Sequence, residues 1–170
     1  PGMLNITVPT GMTMAVDTLV ASRGDVKKVF PLKSIPTIFK GEGTADNPYL
    51  IESKEDLDKL AEFINITGFD YDGFNFRLVN DLDYQGQTWN MICPGVTRFQ
   101  ATFDGNGKTI SNLNCVEVPN GDSNAAGLFA YIKSGAEIKN LTIDGAKVMG
   151  THFAGVICGY AHAGDAANLK

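Results

Sequence analysis

Three aspartates carry most of the chemistry this chain could offer. Asp81 and Asp83 stand two residues apart, so on a strand both carboxylates leave from one face, and Asp104 follows in a nearby turn. Polysaccharide hydrolases work with two carboxylates held at a defined separation in a groove. The same oxygens could ligate calcium, although no twelve-residue calcium loop is present. The plainer role for each is to accept backbone hydrogen bonds at a turn. Tyr131 and Tyr160 stand beside turn residues and offer rings on which a sugar could stack, whereas Trp89, close to Met91 and Ile92, reads as core.

Other catalytic apparatus is thin. His152 and His162 are the two histidines, and no His-Glu-x-x-His pair exists to hold a catalytic zinc ion. A triad would have to join one of them to Thr151 and Asp165, and adjacency in sequence does not arrange that geometry. No catalytic residue, metal site or cofactor is therefore assigned, and the chain reads as a non-enzyme. Cys93, Cys115 and Cys158 are odd in number and lie among apolar neighbours, which favours buried thiols and leaves a disulfide between two of them open. Arg23-Gly24-Asp25 spells a tripeptide used by some integrin ligands, a match short enough to arise by chance.

The elements that must position these residues are short. With 44% hydrophobic and 19% charged residues and 19 glycines, the chain is too apolar for disorder and too rich in turn formers for a helical bundle. A net charge of −5, with Lys27-Lys28 the one adjacent basic pair, excludes a nucleic-acid footprint. No signal-peptide core or membrane-length apolar run is present, so membrane insertion is not expected. The opening Pro1-Gly2-Met3 is read as the start of a fragment.

Residues 1–40 show alternation over Asn5–Pro9 and at Met12, Met14 and Val16, then a stretch from Val26 to Phe39 broken by Pro31 and Pro36. They are read as an extended strap or the remnant of a preceding domain. One helix is legible. Ser53 is its N-cap, with Asp56 three residues on; Leu57, Leu60, Ala61 and Ile64 form its apolar stripe, and Gly68 is its stop. Beyond it, Phe76–Val79, Trp89–Ile92 and Phe99–Phe103 are strand candidates, with Asp104-Gly105-Asn106-Gly107 as a turn.

Gly107–Cys115 aligns with Gly135–Ile143 at an offset of 28 residues, and Asn168-Leu169 falls at the same phase. Gly127 with Gly155, and Phe129 with Ile157, share that offset. A fixed period with apolar positions on apolar positions marks a solenoid, because each unit buries its inner face only against the next. The expected fold is all-β: a right-handed parallel β-helix over 41–170, with the helix capping its first coil. Ile110 over Ile138, Leu113 over Leu141 and Cys115 over Ile143 would be interior columns, and Asn112, Asn140 and Asn168 a corner ladder of side-chain amides. The solenoid is expected to be cut short at its C-terminal end.

Gly127-Leu-Phe-Ala-Tyr-Ile132, Ile138-Lys-Asn-Leu141 and Phe153-Ala-Gly-Val-Ile-Cys-Gly159 resemble the GLUG-motif repeats of bacterial cell-surface proteins, also found beside the protease domain of immunoglobulin A-cleaving metallopeptidases. Asn47-Pro48-Tyr49-Leu50-Ile51, Asn80-Asp81-Leu82-Asp83 and Phe103–Ile110 look like the lead-in to such repeats. Ala130 stands where the family usually has Gly. The resemblance covers about 41–170 and implies a secreted or surface-anchored module with an adhesive or spacer role. Its partners would be a host glycan, a host surface protein or further repeats of the same chain. A carbohydrate-active or carbohydrate-binding β-helix is the alternative.

Overall fold

The computed structural model describes residues 16–23, 26–33, 38–95, 97–116, 125–162 and 168–169. The chain divides into two units between Ile38 and Phe39. In the first, β1 (Val16–Arg23) and β2 (Val26–Lys33) form an antiparallel ribbon in register from Val16 opposite Lys33 to Arg23 opposite Val26. Pro31 sits inside this ladder opposite Thr18. It does not interrupt the strand because both strands of a two-stranded ribbon are edges, where a missing N–H is tolerated. The alternations over Asn5–Pro9 and at Met12 and Met14, together with Pro36, lie outside the described residues.

The second unit begins with β3 (Tyr49–Ile51), α1 (Lys54–Thr67), β4 (Asn75–Leu78) and β5 (Leu82–Asp83). There follow β6 (Thr102–Ser111), β7 (Asn114–Val116), β8 (Ala125–Ala126) and β9 (Phe129–Ile132). Then come β10 (Glu137–Asp144), β11 (Lys147–Met149), β12 (Phe153–Ala154), β13 (Cys158–Ala161) and β14 (Asn168–Leu169). Among the described residues the unit is mixed α/β, the one expected N-terminal helix with several parallel sheets, which corrects the all-β class to that extent.

The helix forms where its sequence signals place it. Ser53 Oγ accepts from Asp56 N at 3.3 Å, and the Asp56 carboxylate accepts from Glu52 N at 3.1 Å, so two donors near the helix start are satisfied reciprocally. Gly68 ends the helix at φ 68°, donating its N–H to Ile64 O. Leu57, Leu60, Ala61 and Ile64 are fully buried; each of the three larger ones contributes about 1.5–3 kcal/mol by leaving water. The polar ends are pinned as well. Tyr84 donates its hydroxyl to Asp58 at 3.0 Å, Asn65 Nδ2 donates to Met91 O at 2.9 Å, and Asn65 Oδ1 accepts from Cys93 N at 3.0 Å.

Among the described residues every pair of strands in this unit is parallel, the isolated bridge of Lys40 to Leu50 alone being antiparallel. The main sheet runs β14-β10-β6-β4-β3, with β5 also beside β6, and β11 pairs β7, β12 pairs β8 and β13 pairs β9. Tyr49, Phe76, Phe103 and Ile138 lie opposite one another on successive strands and are all buried. Trp89, as expected, is core; its Nε1 donates to Leu128 O at 2.9 Å. The Trp89–Ile92 segment contributes an isolated bridge, Ile92 to Phe129, and not the strand expected there; of the expected Phe99–Phe103 strand, Thr102 and Phe103 open β6 while Phe99 makes an isolated bridge to Ile132.

Two expectations are corrected. Asp104-Gly105-Asn106-Gly107 is no turn between strands, because β6 runs through it for ten residues. Asn106 and Gly107, at φ 53° and 70°, form a bulge inside the strand. The 28-residue register also fails for β10. Ile138 pairs with Phe103, 35 residues earlier, and Ile143 with Ile110, 33 earlier, with a shift between Lys139 and Leu141. The columns Ile110–Ile138, Leu113–Leu141 and Cys115–Ile143 therefore do not form. The offset of 28 holds where β12 meets β8 and in the bond from Phe129 N to Ile157 O at 2.9 Å.

Candidate functional site

Each of the three aspartates is engaged by its own stretch of sheet. Asp81 Oδ1 accepts from Thr109 N at 2.8 Å. Asp83 Oδ1 accepts from Gln85 N and Asn112 Nδ2, both at 2.8 Å, and these bonds, that from Asn112 foremost, hold its carboxyl below the usual range. Asp104 Oδ1 accepts from Asn106 N at 2.8 Å and Asn140 Nδ2 at 3.0 Å, with Arg77 at 3.6 Å from Oδ2. Burial opposes the ionised form of Asp104, but these donors together keep its carboxyl low. Each therefore accepts a backbone N–H, from two residues on for Asp83 and, inside β6, for Asp104, and from Thr109 of β6 for Asp81. Among the described residues, no group of three or more His, Cys, Asp or Glu is arranged to hold a metal ion.

The asparagines are placed differently from the expected ladder. Asn112 and Asn140 share a left-handed backbone, φ 55° and 53°, but do not lie over one another. Asn112 donates its N–H to Asp144 O at 2.8 Å and its side chain to Asp83, while the side chain of Asn140 reaches Asp104. The backbone of Asn168 pairs with Glu137, not Asn140, and its side chain lies outside the described residues. Gln85, Gly86, Asn112, Leu113, Gly145 and Lys147 line a shallow cleft of about 360 Å³.

The tyrosines do come together. β13 pairs with β9 so that Tyr160 lies opposite Tyr131, their ring centroids 5.8 Å apart. Phe153, 42% exposed, packs against Tyr160 at 4.7 Å, and His152 and His162 lie 6.4 Å from Phe153 and 6.3 Å from Tyr160 respectively. On the other side the Arg98 guanidinium sits 5.6 Å from the Tyr131 ring centre. Arg98 also lines a cleft of about 250 Å³ with Gly68, Asp70, Thr97 and Lys133, in which Lys133 Nζ and Asp70 Oδ2 are 2.9 Å apart. Burial works against the charge on Asp70, and Lys133 with the Asp72 N–H outweighs it, so the carboxyl is held low.

Sequence reading missed Arg98 and Phe153. The signal for Arg98 was its place before Phe99, whose bridge to Ile132 sets Arg98 beside Tyr131. An exposed Phe in a two-residue strand has no periodicity to reveal it.

The remaining candidates gather no chemistry. Thr151 Oγ1 and His152 Nδ1 are 3.0 Å apart; Asp165, the acid such a pair would need, lies outside the described residues, as do Gly24 and Asp25 of the Arg23-Gly24-Asp25 tripeptide. The three cysteines are free thiols, Cys93 and Cys115 buried and Cys158 half-buried. Burial pushes Cys115 and Cys158 up to about 11 and Cys93 further. Among the described residues, no helix is long and apolar enough to cross a membrane.

No protein-family model matches the chain, and no solved structure matches it. Two curated proteins are similar to it. Halomucin of Haloquadratum walsbyi is 35% identical over 159 residues, which is 91% of this chain and 2% of halomucin. A protein of Evansella cellulosilytica, named for a Gly-rich composition and a membrane, is 32% identical over 111 residues, 62% of this chain and 12% of that protein. The chain thus spans a small fraction of the length of either relative.

Proposed function

We propose that residues 39–170 are coils of a right-handed parallel β-helix, serving as a non-catalytic module of an exported surface protein of the GLUG-repeat kind. Its role is to hold distance, and to adhere through its side faces. One observation carries the reading: strands pair in chain order, β4 on β3, β6 on β4, β10 on β6 and β14 on β10, while β11, β12 and β13 repeat the sequence β7, β8 and β9. Parallel strands joined in this way connect with right-handed crossovers in nearly all proteins. The name of the Evansella relative and the great length of both relatives fit a piece of a long surface protein.

The carbohydrate-active alternative has less support, since Asp81, Asp83 and Asp104 all accept bonds that hold strands together. The experiment has two arms. Antibodies raised against residues 39–170 are applied to intact cells of the organism that carries the gene, with expected labelling before lysis. The chain is incubated with a panel of polysaccharides, with no new reducing ends expected. Labelling only after lysis sinks the surface role, and new reducing ends sink the non-catalytic one.

A further inference from the structure

We infer that Arg98, Tyr131, Tyr160 and Phe153 form a binding strip for an acidic polysaccharide, one whose sugar units carry carboxylates; this rests on the reading of a non-catalytic exported module. The four residues make an unbroken run. The Arg98 guanidinium lies over Tyr131, Tyr131 meets Tyr160, and Tyr160 meets Phe153. Successive rings are tilted by 62° and 53°. They therefore meet edge to face or obliquely and do not stack flat on each other, and an aromatic surface of this kind offers contact to the apolar C–H faces of sugar rings.

The strip also runs in a useful direction. Tyr131 and Tyr160 are register partners on adjacent strands, and Arg98 precedes the residue bridged to Ile132, so the three occupy successive layers. Layers repeat at the inter-strand spacing of about 4.8 Å, the scale of one sugar unit in an extended chain. Phe153 leaves an aromatic ring 42% exposed on this surface, the kind of apolar exposure that marks a contact site when it is continuous with other rings.

Charge selects the ligand class. The cleft that continues the strip holds two cations, Arg98 and Lys133, against one carboxylate, Asp70, in a chain whose formal charge is −5. A polyanion is repelled by the molecule as a whole and admitted at this face. Arg98 is suited to a sugar carboxylate because its planar fork matches two oxygens at once, and Thr97 adds a hydroxyl at the cleft wall. Two cations are too few to replace the counterions of a nucleic-acid backbone.

The test is calorimetric titration of the full chain at low salt with an oligogalacturonate, a neutral cello-oligosaccharide of equal length and a single-stranded RNA. Tight binding of the oligogalacturonate is expected. Tyr160→Ala and Phe153→Ala should each weaken it roughly tenfold, Tyr160→Phe should bind nearly as wild type, and Arg98→Gln should lose about tenfold for the uronate but little for the neutral chain. Lys147→Gln, in a different sheet, should change nothing, and thermal melts confirm that each variant is folded. Equal loss with Lys147→Gln, binding unaffected by the aromatic variants, or RNA preferred over uronate overturns the strip. Recovered oligosaccharide is sized by chromatography. Intact sugar without binding overturns the strip and leaves the module standing, whereas shortened sugar overturns the non-catalytic reading and the inference with it.

Discussion

The side-chain amide of Asn140 donates to Asp104 Oδ1 at 3.0 Å, at the point where one residue of β10 faces three of β6. Asn140 takes a left-handed backbone there, φ 53°, a conformation that costs a residue with a Cβ about 1–2 kcal/mol and that Asn tolerates best. The bulge in β6 thus meets its match in a single left-handed residue of the next strand, and the amide–carboxylate bond holds the two irregularities in register.

Replacing Asn140 separates these contributions. Asn140→Gly keeps the backbone conformation and removes the bond, with an expected loss of about 1 kcal/mol. Asn140→Ala also meets the left-handed strain, for a total of about 2 kcal/mol. Urea denaturation of the two variants measures both; equal stability of the Ala and Gly variants contradicts the strained geometry.

The same bond has a pH signature. The carboxyls of Asp104 and Asp83 are held low in the folded state, so their contribution is complete above the unfolded aspartate value of about 3.9 and is lost as pH falls through the lower folded values. Stability should be flat from neutrality to about pH 5 and then decline. Asn140→Gly should decline less steeply and converge on wild type in acid. Parallel curves down to the lowest accessible pH would refute the assignment.

Gly105 and Gly127 are among the glycines required by close backbone approach. A Cβ at Gly127 would stand 2.4 Å from Gly155 O, and one at Gly105 would stand 2.5 Å from both Asn140 O and Leu141 Cα. Backbone atoms cannot step aside cheaply, so each Gly→Ala change is expected to cost at least about 2 kcal/mol. Gly95→Ala, where nothing lies within 4 Å, should be near neutral and serves as the reference in thermal melts.

At the helix, Leu60 is fully buried and Ile66 is 74% exposed. Leu60→Ala is expected to cost about 2–5 kcal/mol, and Ile66→Ala less than about 0.5 kcal/mol. Denaturant titration of both variants checks the contrast.

Thiol labelling reads burial directly. Native protein at pH 8 should react first and slowly at Cys158, whose thiol is half-buried and pushed up to about 11, because little thiolate is present. Cys93 and Cys115 should react only on unfolding. Rapid labelling of Cys93 in the native state would contradict its burial.

Local signals were legible, and the 28-residue register was legible where β12 meets β8 but not for β10. Ser53, Gly68 and the stripe from Leu57 to Ile64 could be read because capping and helical periodicity act within a few residues. Gly107–Cys115 and Gly135–Ile143 look alike because both carry a left-handed Gly and a left-handed Asn around an extended segment. That resemblance is of local backbone, and burial of Ile138 beside Phe103 decides a different pairing. The Asp-Gly-Asn-Gly signal failed for a related reason: the residues that permit a turn also permit a bulge. Of the candidate site, Tyr131 and Tyr160 were visible as rings near turns, while Arg98 and Phe153 join them only through strand pairing.

In the main sheet of the second unit, β4 lies on β3, β6 on β4, β10 on β6 and β14 on β10, and β3, just before α1, comes first. Nothing in that succession has to wait for chain that has not yet been made. Each length of polypeptide finds its template finished as it emerges from a ribosome, so this sheet can assemble directionally, like a zip closed from the end that leaves first.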